Sequence, residues 1–278
     1  MKTFSSVALV TVLAAFAFGC SSGPRNIEEA SAEIRAAAST IESWSSDIEL
    51  DMKIQGMSMK MTGYARGKGD SVALEMNTNV MGQPMNLRSV IEDGGTQWTE
   101  LDVAGQTVVM KVDPSQMRDL GGQLSGLAMP GSSTLGQSQD PRKALDSMSD
   151  SYDLEYVGVA TMEDGTEVYV ISGVLKDSVI SAQTDPQMRK QLVDLAGKTR
   201  VLFGVGDGFV RRIESWAKDA ADDAKPGMTQ HYRNVVLNAA LDDSLFVYTP
   251  PPDVEVMDMA EMLGGGSSAL MQQFANPN

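Results

Sequence analysis

The sequence predicts an α+β fold, mainly antiparallel β, in which about eleven strands form one curved sheet with a few helices over its concave face. Three observations predict it. Short segments alternate apolar and polar residues with a period of two, and Gly-containing turn signals separate them at hairpin spacing. Segments with helical period are few and short. Successive strands with one apolar face each form an antiparallel meander, and that face must be buried. The helices suffice to cover such a sheet without filling it.

The elements follow in order. Ile27, Ala30, Ile34, Ala37, Ala38 and Ile41 recur at three- and four-residue spacing, which predicts a helix over Ile27–Ser43. Asn26 suits its N-cap, and Glu28, Glu29 and Glu33 lie in the early turns, where the helix dipole favours carboxylates. The period then changes. Ile48, Leu50, Met52 and Ile54 alternate with Asp47, Glu49, Asp51 and Lys53; Met57, Met59 and Met61 alternate with Ser58, Lys60 and Thr62. Val72, Leu74 and Met76 continue the pattern, as do Met85, Leu87 and Ile91, then Thr96–Val103 and Thr107–Val112. Pro114–Leu120 is expected as a short helix, Gly121–Gln139 as a Gly/Ser-rich loop anchored by Leu124, Leu127, Met129 and Leu135, and Lys143–Ser149 as a second short helix after Pro141. Strands resume at Ser151–Ala160 and Thr166–Val174 across the turn Glu163-Asp164-Gly165. Asp185–Ala196 is expected as a helix ended by Gly197, followed by a hairpin of Thr199–Gly204 and Gly208–Ala217 and a long strand Met228–Ala240. Pro250 to Pro252 close the sheet region, Val254–Leu263 is expected as a terminal helix, and Gly264–Asn278 as a disordered polar tail.

Composition works mainly by exclusion. The 278 residues, 42% hydrophobic, suit one large domain, here placed at residues 27–263. A net charge of -15 argues against nucleic acid and against electrostatic docking on anionic lipid. One Cys and one His, His231, leave no intramolecular disulfide and no Cys- or His-rich metal centre. No Gly-x-Ser-x-Gly elbow occurs. Gly204-Val205-Gly206-Asp207-Gly208 lacks the following amphipathic helix of a phosphate loop and reads as a hairpin turn. Asp219, Asp222 and Asp223 lack the spacing of a calcium loop and read as a solvated turn. No enzyme activity, metal or cofactor is expected.

Met1–Gly19 has the form of an export signal: Lys2, an apolar run over Val7–Phe18, then small Gly19. The run is shorter than the roughly 20 residues that span a bilayer. Ala17-Phe18-Gly19-Cys20 resembles a bacterial lipobox, with Ala17 where Leu is usual. The resemblance implies that Cys20 is lipidated on sulfur, and Ser21 after it resembles lipoproteins sent on to the outer membrane. The spacer Ser21–Asn26 reaches on the order of 20 Å at most, which keeps the domain near the membrane face.

The order of helix, six-strand meander, two short helices and returning meander resembles the LolA-like superfamily of lipoprotein carriers, outer-membrane acceptors and mycobacterial-type lipoproteins. The most specific stretch is Asn234-Val235-Val236-Leu237-Asn238, then Leu241-Asp242-Asp243-Ser244-Leu245-Phe246-Val247-Tyr248 and Pro251-Pro252-Asp253-Val254-Glu255-Val256, similar to that family's closing strand and tail. Trp44–Gln55 resembles its first strand. The resemblance implies a half-open β-barrel whose concave face holds a lipid or the acyl chains of a lipoprotein, with a carrier or membrane-transporter protein as partner. On that expectation Leu50, Met52, Ile54, Met57, Met59, Met61, Leu74, Met76, Met85 and Leu87 line the apolar face, and Leu124, Leu127 and Met129 belong to a lid. Met is abundant, 19 residues, and its unbranched, polarizable chain suits a wall for ligands of variable shape. A Met-rich core filled by its own side chains explains the same stripe, and the chain then serves as a sensor or interaction lipoprotein that binds a protein partner instead.

Overall fold

The computed structural model describes residues 23–113 and 140–258, apart from 55–56, 81, 94, 104, 184–185 and 222. The export signal, Cys20, the tether up to Ser22, the lid residues Leu124, Leu127 and Met129, and the polar tail lie outside the described residues. Twelve strands form one sheet. They are β1 (Ser43–Ile54), β2 (Met57–Lys68), β3 (Ser71–Val80), β4 (Gln83–Ile91), β5 (Gln97–Val103), β6 (Gln106–Val112), β7 (Tyr152–Thr161), β8 (Glu167–Leu175), β9 (Lys198–Gly204), β10 (Val210–Trp216), β11 (Met228–Leu237) and β12 (Val256–Asp258). The order is β12-β6-β5-β4-β3-β2-β1-β11-β10-β9-β8-β7, so two antiparallel meanders join where β1 pairs with β11. Among the described residues the sheet does not close: β12 and β7 are its two edges. This is the curved half-open arrangement expected, with one strand more than the eleven predicted.

The described helices are α1 (Ile27–Ala38), α2 (Ala144–Ser151), α3 (Asp177–Ala182) and α4 (Pro186–Ala196). Asn26 caps α1 as expected, its side chain accepting from the Glu29 N–H at 2.9 Å. The helix stops at Ala38 rather than Ser43. Ser39 and Thr40 turn their hydroxyls onto the carbonyls of Ala36 and Ala37, which ends the helix and drops Ile41 into the core. Ala30 and Ile34 of α1, with Ala144, Leu145 and Met148 of α2, pack on the inward side chains of β1–β3 and β8–β11 to form the main core. Arg35 ties the two helices together through Asp146 at 2.8 Å.

The expected helix at Val254–Leu263 is corrected over its described residues. Val256–Asp258 instead pairs in parallel with Val109–Lys111 of β6. The physical reason lies on the outer face, where Phe246, Tyr248, Leu245, Val254 and Val256 pack on Ala73, Val90, Trp98 and Val109. A segment held there arrives beside the open edge of β6 and satisfies its backbone groups. Tyr248 fixes the strap further, its hydroxyl donating to Glu100 at 2.6 Å.

Candidate lipid-binding face

Register decides which side chains share a face. Across antiparallel strands, directly paired residues point the same way. Leu50 pairs with Met61 and Met52 with Met59; Met76 pairs with Gly63 and Leu87; Leu74 pairs with Ala65 and Ser89. The predicted lining residues Leu50, Met61, Leu74 and Met76 are buried in the main core, and Met52, Met59, Met85 and Leu87 are half-buried against it. Ile54 and Met57 pair with each other at the far end of the β1–β2 hairpin, which puts them in the same register.

The same register adds residues that the sequence reading missed. Leu101 and Val108 continue the row of Leu87, Val103 that of Met85, and Met110 that of Ser89 and Thr99. All four apolar residues are half-buried. Of the inward positions on β4, β5 and β6, Ser89 alone is buried. The concave face is therefore asymmetric. Its β8–β11 side is filled by α1, α2 and large aromatics, whereas its β4–β6 side presents partly accessible hydrocarbon.

The filled side is built around Trp44, which is fully buried against Phe209 at 5.3 Å between ring centroids, with Phe209 in turn edge-on to Tyr232 at 5.9 Å. A Cβ on Gly67 would lie 2.2 Å from the Trp44 indole nitrogen, so only glycine lets that ring lie across β2. Tyr169 donates to Glu33 of α1 at 2.6 Å; burial, then that carboxylate, push its phenol up to about 12. Arg142 closes this end. Its guanidinium pairs with Asp140 at 2.8 Å and donates to the Ile41 carbonyl at 2.9 Å and to that of Gly69. Both partners of the ion pair are nearly buried, which makes the clamp geometrically exacting.

Charge sorts by face without exception on β1–β6. Asp47, Glu49, Asp51, Lys53, Lys60, Arg66, Lys68, Glu75, Arg88, Glu100, Asp102 and Lys111 all fall at outward register positions. Arg233 and Lys60 meet Glu49 there, at 3.3 and 4.0 Å. The inward positions are apolar or small, with Ser46, Thr78, Gln83, Ser89, Gln97, Thr99 and Gln106 the polar ones. Across β1–β6 this face presents no ionisable side chain among the described residues. It offers contact to an uncharged, mostly hydrocarbon ligand.

The other sequence candidates resolve elsewhere. Residues 204–208 form the turn between β9 and β10, with the Asp207 carboxylate accepting from the Phe209 N–H at 2.8 Å and pairing with Arg211. His231 lies on the outer face between Arg212 and Glu49. A cleft of about 270 Å³ opens on the outer face of β7–β10, beside Asp153, Glu155, Lys198, Arg200 and Trp216. Its cations are engaged, Lys198 with the Ala220 carbonyl at 2.7 Å and Arg200 with Glu214 at 3.6 Å. Among the described residues no group of His, Cys, Asp and Glu is placed to hold a metal ion, and no helix is long and apolar enough to cross a membrane.

With that geometry in place, comparisons with known proteins give structural likeness only. Solved structures similar to this chain include an uncharacterized conserved protein from Thermus thermophilus, at 10% identity and TM-score 0.47, covering 82% of this chain and 99% of the other. The Mycobacterium tuberculosis lipoprotein LppX aligns at 13% identity and TM-score 0.38, over 76% of this chain and 96% of its own. A LolA superfamily protein from Nitrosomonas europaea aligns at 10% identity and TM-score 0.24, over 78% and 97%. No family model and no curated protein matches the sequence.

Proposed function

We propose that this chain is a lipid-binding lipoprotein of the cell envelope that holds acyl chains, of a lipid or of a lipoprotein, on the β2–β6 side of its concave face. Cys20 anchors it, the outer membrane is its site, and the domain works on the periplasmic side as an acceptor or carrier without turnover. The observation that carries this reading is the complete sorting of charge on β1–β6, combined with half-buried Met59, Met85, Leu87, Leu101 and Met110 on the uncharged side. Each buried CH₂ contributes about 0.8 kcal/mol, so a sixteen-carbon chain offers on the order of 12 kcal/mol before the costs of association. The methionines let such a wall adapt to chains of different length.

The test is mass spectrometry of organic extracts from the full chain carrying Cys20→Ser, which removes the protein's own lipid. Co-purifying acyl lipid is expected. Leu101→Arg puts an unpaired charge on the hydrocarbon side and should remove most of that lipid, while Glu75→Arg on the outward side should retain it. Extracts free of lipid from a folded protein overturn the reading, and a module that binds a protein partner is then the account that stands.

A further inference from the structure

We propose that Ser89, Gln97 and Thr99 form a hydrogen-bonding site for the ester carbonyl of a neutral acyl lipid, set into the apolar wall and selecting esters over fatty-acid anions. The proposal rests on the acyl-binding reading above and names the chemistry that the same face recognises.

The three side chains meet across β4 and β5. Ser89 and Thr99 are direct register partners with their hydroxyl oxygens 3.4 Å apart, and the Gln97 carboxamide donates to the Ser89 hydroxyl at 3.3 Å. Ser89 is buried, whereas Gln97 and Thr99 are half-buried and so reachable from the concave side. Hydrocarbon surrounds them: Leu74 pairs with Ser89, and Met110 pairs with Thr99. Polar side chains in such a wall are costly unless they find partners. A carboxamide carries two N–H donors and one acceptor, and the bond to Ser89 uses one donor. A ligand that brings a carbonyl oxygen to this spot takes up the second donor, or the Thr99 hydroxyl.

Charge excludes the competing ligand. No Lys or Arg stands at an inward position on β1–β6, so a carboxylate placed beside Gln97 loses its hydration and gains no cation. An ester carbonyl accepts the same hydrogen bond without that cost. A plain hydrocarbon or an ether leaves the carboxamide donor without a carbonyl to meet.

The experiment uses the full chain with Cys20→Ser, stripped of lipid, and three probes with sixteen-carbon chains: dipalmitoylglycerol, its dihexadecyl ether analogue, and palmitate at pH 8. The diester is expected to bind about two- to tenfold tighter than the diether, the span of one hydrogen bond, with palmitate weakest. The Gln97→Leu/Thr99→Val variant should abolish the difference in affinity between diester and diether. Equal binding of diester and diether by the unaltered face, a preference that survives in the variant, or tighter binding of palmitate overturns the ester site while leaving hydrocarbon binding intact. Failure of every probe to bind removes the acyl-binding reading itself, and the ester site with it.

Discussion

His231 is the one imidazole of the chain, and its surroundings couple its protonation to folding. It sits on the outer face between Arg212 of β10 and Glu49 of β1. Burial is the main force lowering its pKa from 6.5, followed by Arg212 and Arg233, with Glu49 and Glu163 opposing. The unfolded chain therefore binds a proton at this site more readily than the folded one, so stability falls as pH drops below about 6.5 and through the lower folded value. The urea midpoint should decline more steeply between pH 7.5 and 5 in the native chain than in His231→Gln. Parallel declines would show that the site is not linked to folding. Sequence reading placed this residue on a strand, and the structure agrees. Arg142 was not legible in the same way, because the carbonyls it grips belong to Ile41 and Gly69, 101 and 73 residues away. No local pattern marks a contact of that range.

At the scale of elements, close approach decides what the amino-acid pattern leaves open. Gly208 has φ +66°, and a Cβ there would lie 2.3 Å from the Ile34 carbonyl oxygen of α1. Gly208→Ala must strain its backbone and push α1 away from the β9–β10 turn, at a cost of about 2–4 kcal/mol read from the urea midpoint. A loss below about 0.5 kcal/mol would mean that α1 is not seated on this turn. Periodicity located α1, α2 and the strands because each buries one face along its own length. It failed at β12, which is three residues long and owes its conformation to the neighbouring edge of β6 rather than to alternation. It also failed at α3, a six-residue helix with no buried residue and hence no apolar stripe to detect.

For the molecule as a whole, the division of the concave face into a filled and an accessible side organises the account. The Met and Leu positions of β1–β4 were legible because they alternate with charge, as Met59 and Met61 do with Lys60. Leu101, Val108 and Met110 were not, since β5 and β6 carry apolar residues on both faces: Trp98 and Val109 point outward onto Tyr248 and Phe246. Only pairing with Leu87 and Ser89 sorts the two sets. Photo-crosslinking tests the division most directly, using a diacylglycerol with a diazirine along one chain and peptide mapping of the labelled full chain carrying Cys20→Ser. The account predicts label on Met59, Met85, Leu101 and Met110 and none on Ile171, Phe203 or Ile213. Label confined to the outer face, or spread onto those three core residues, would contradict it.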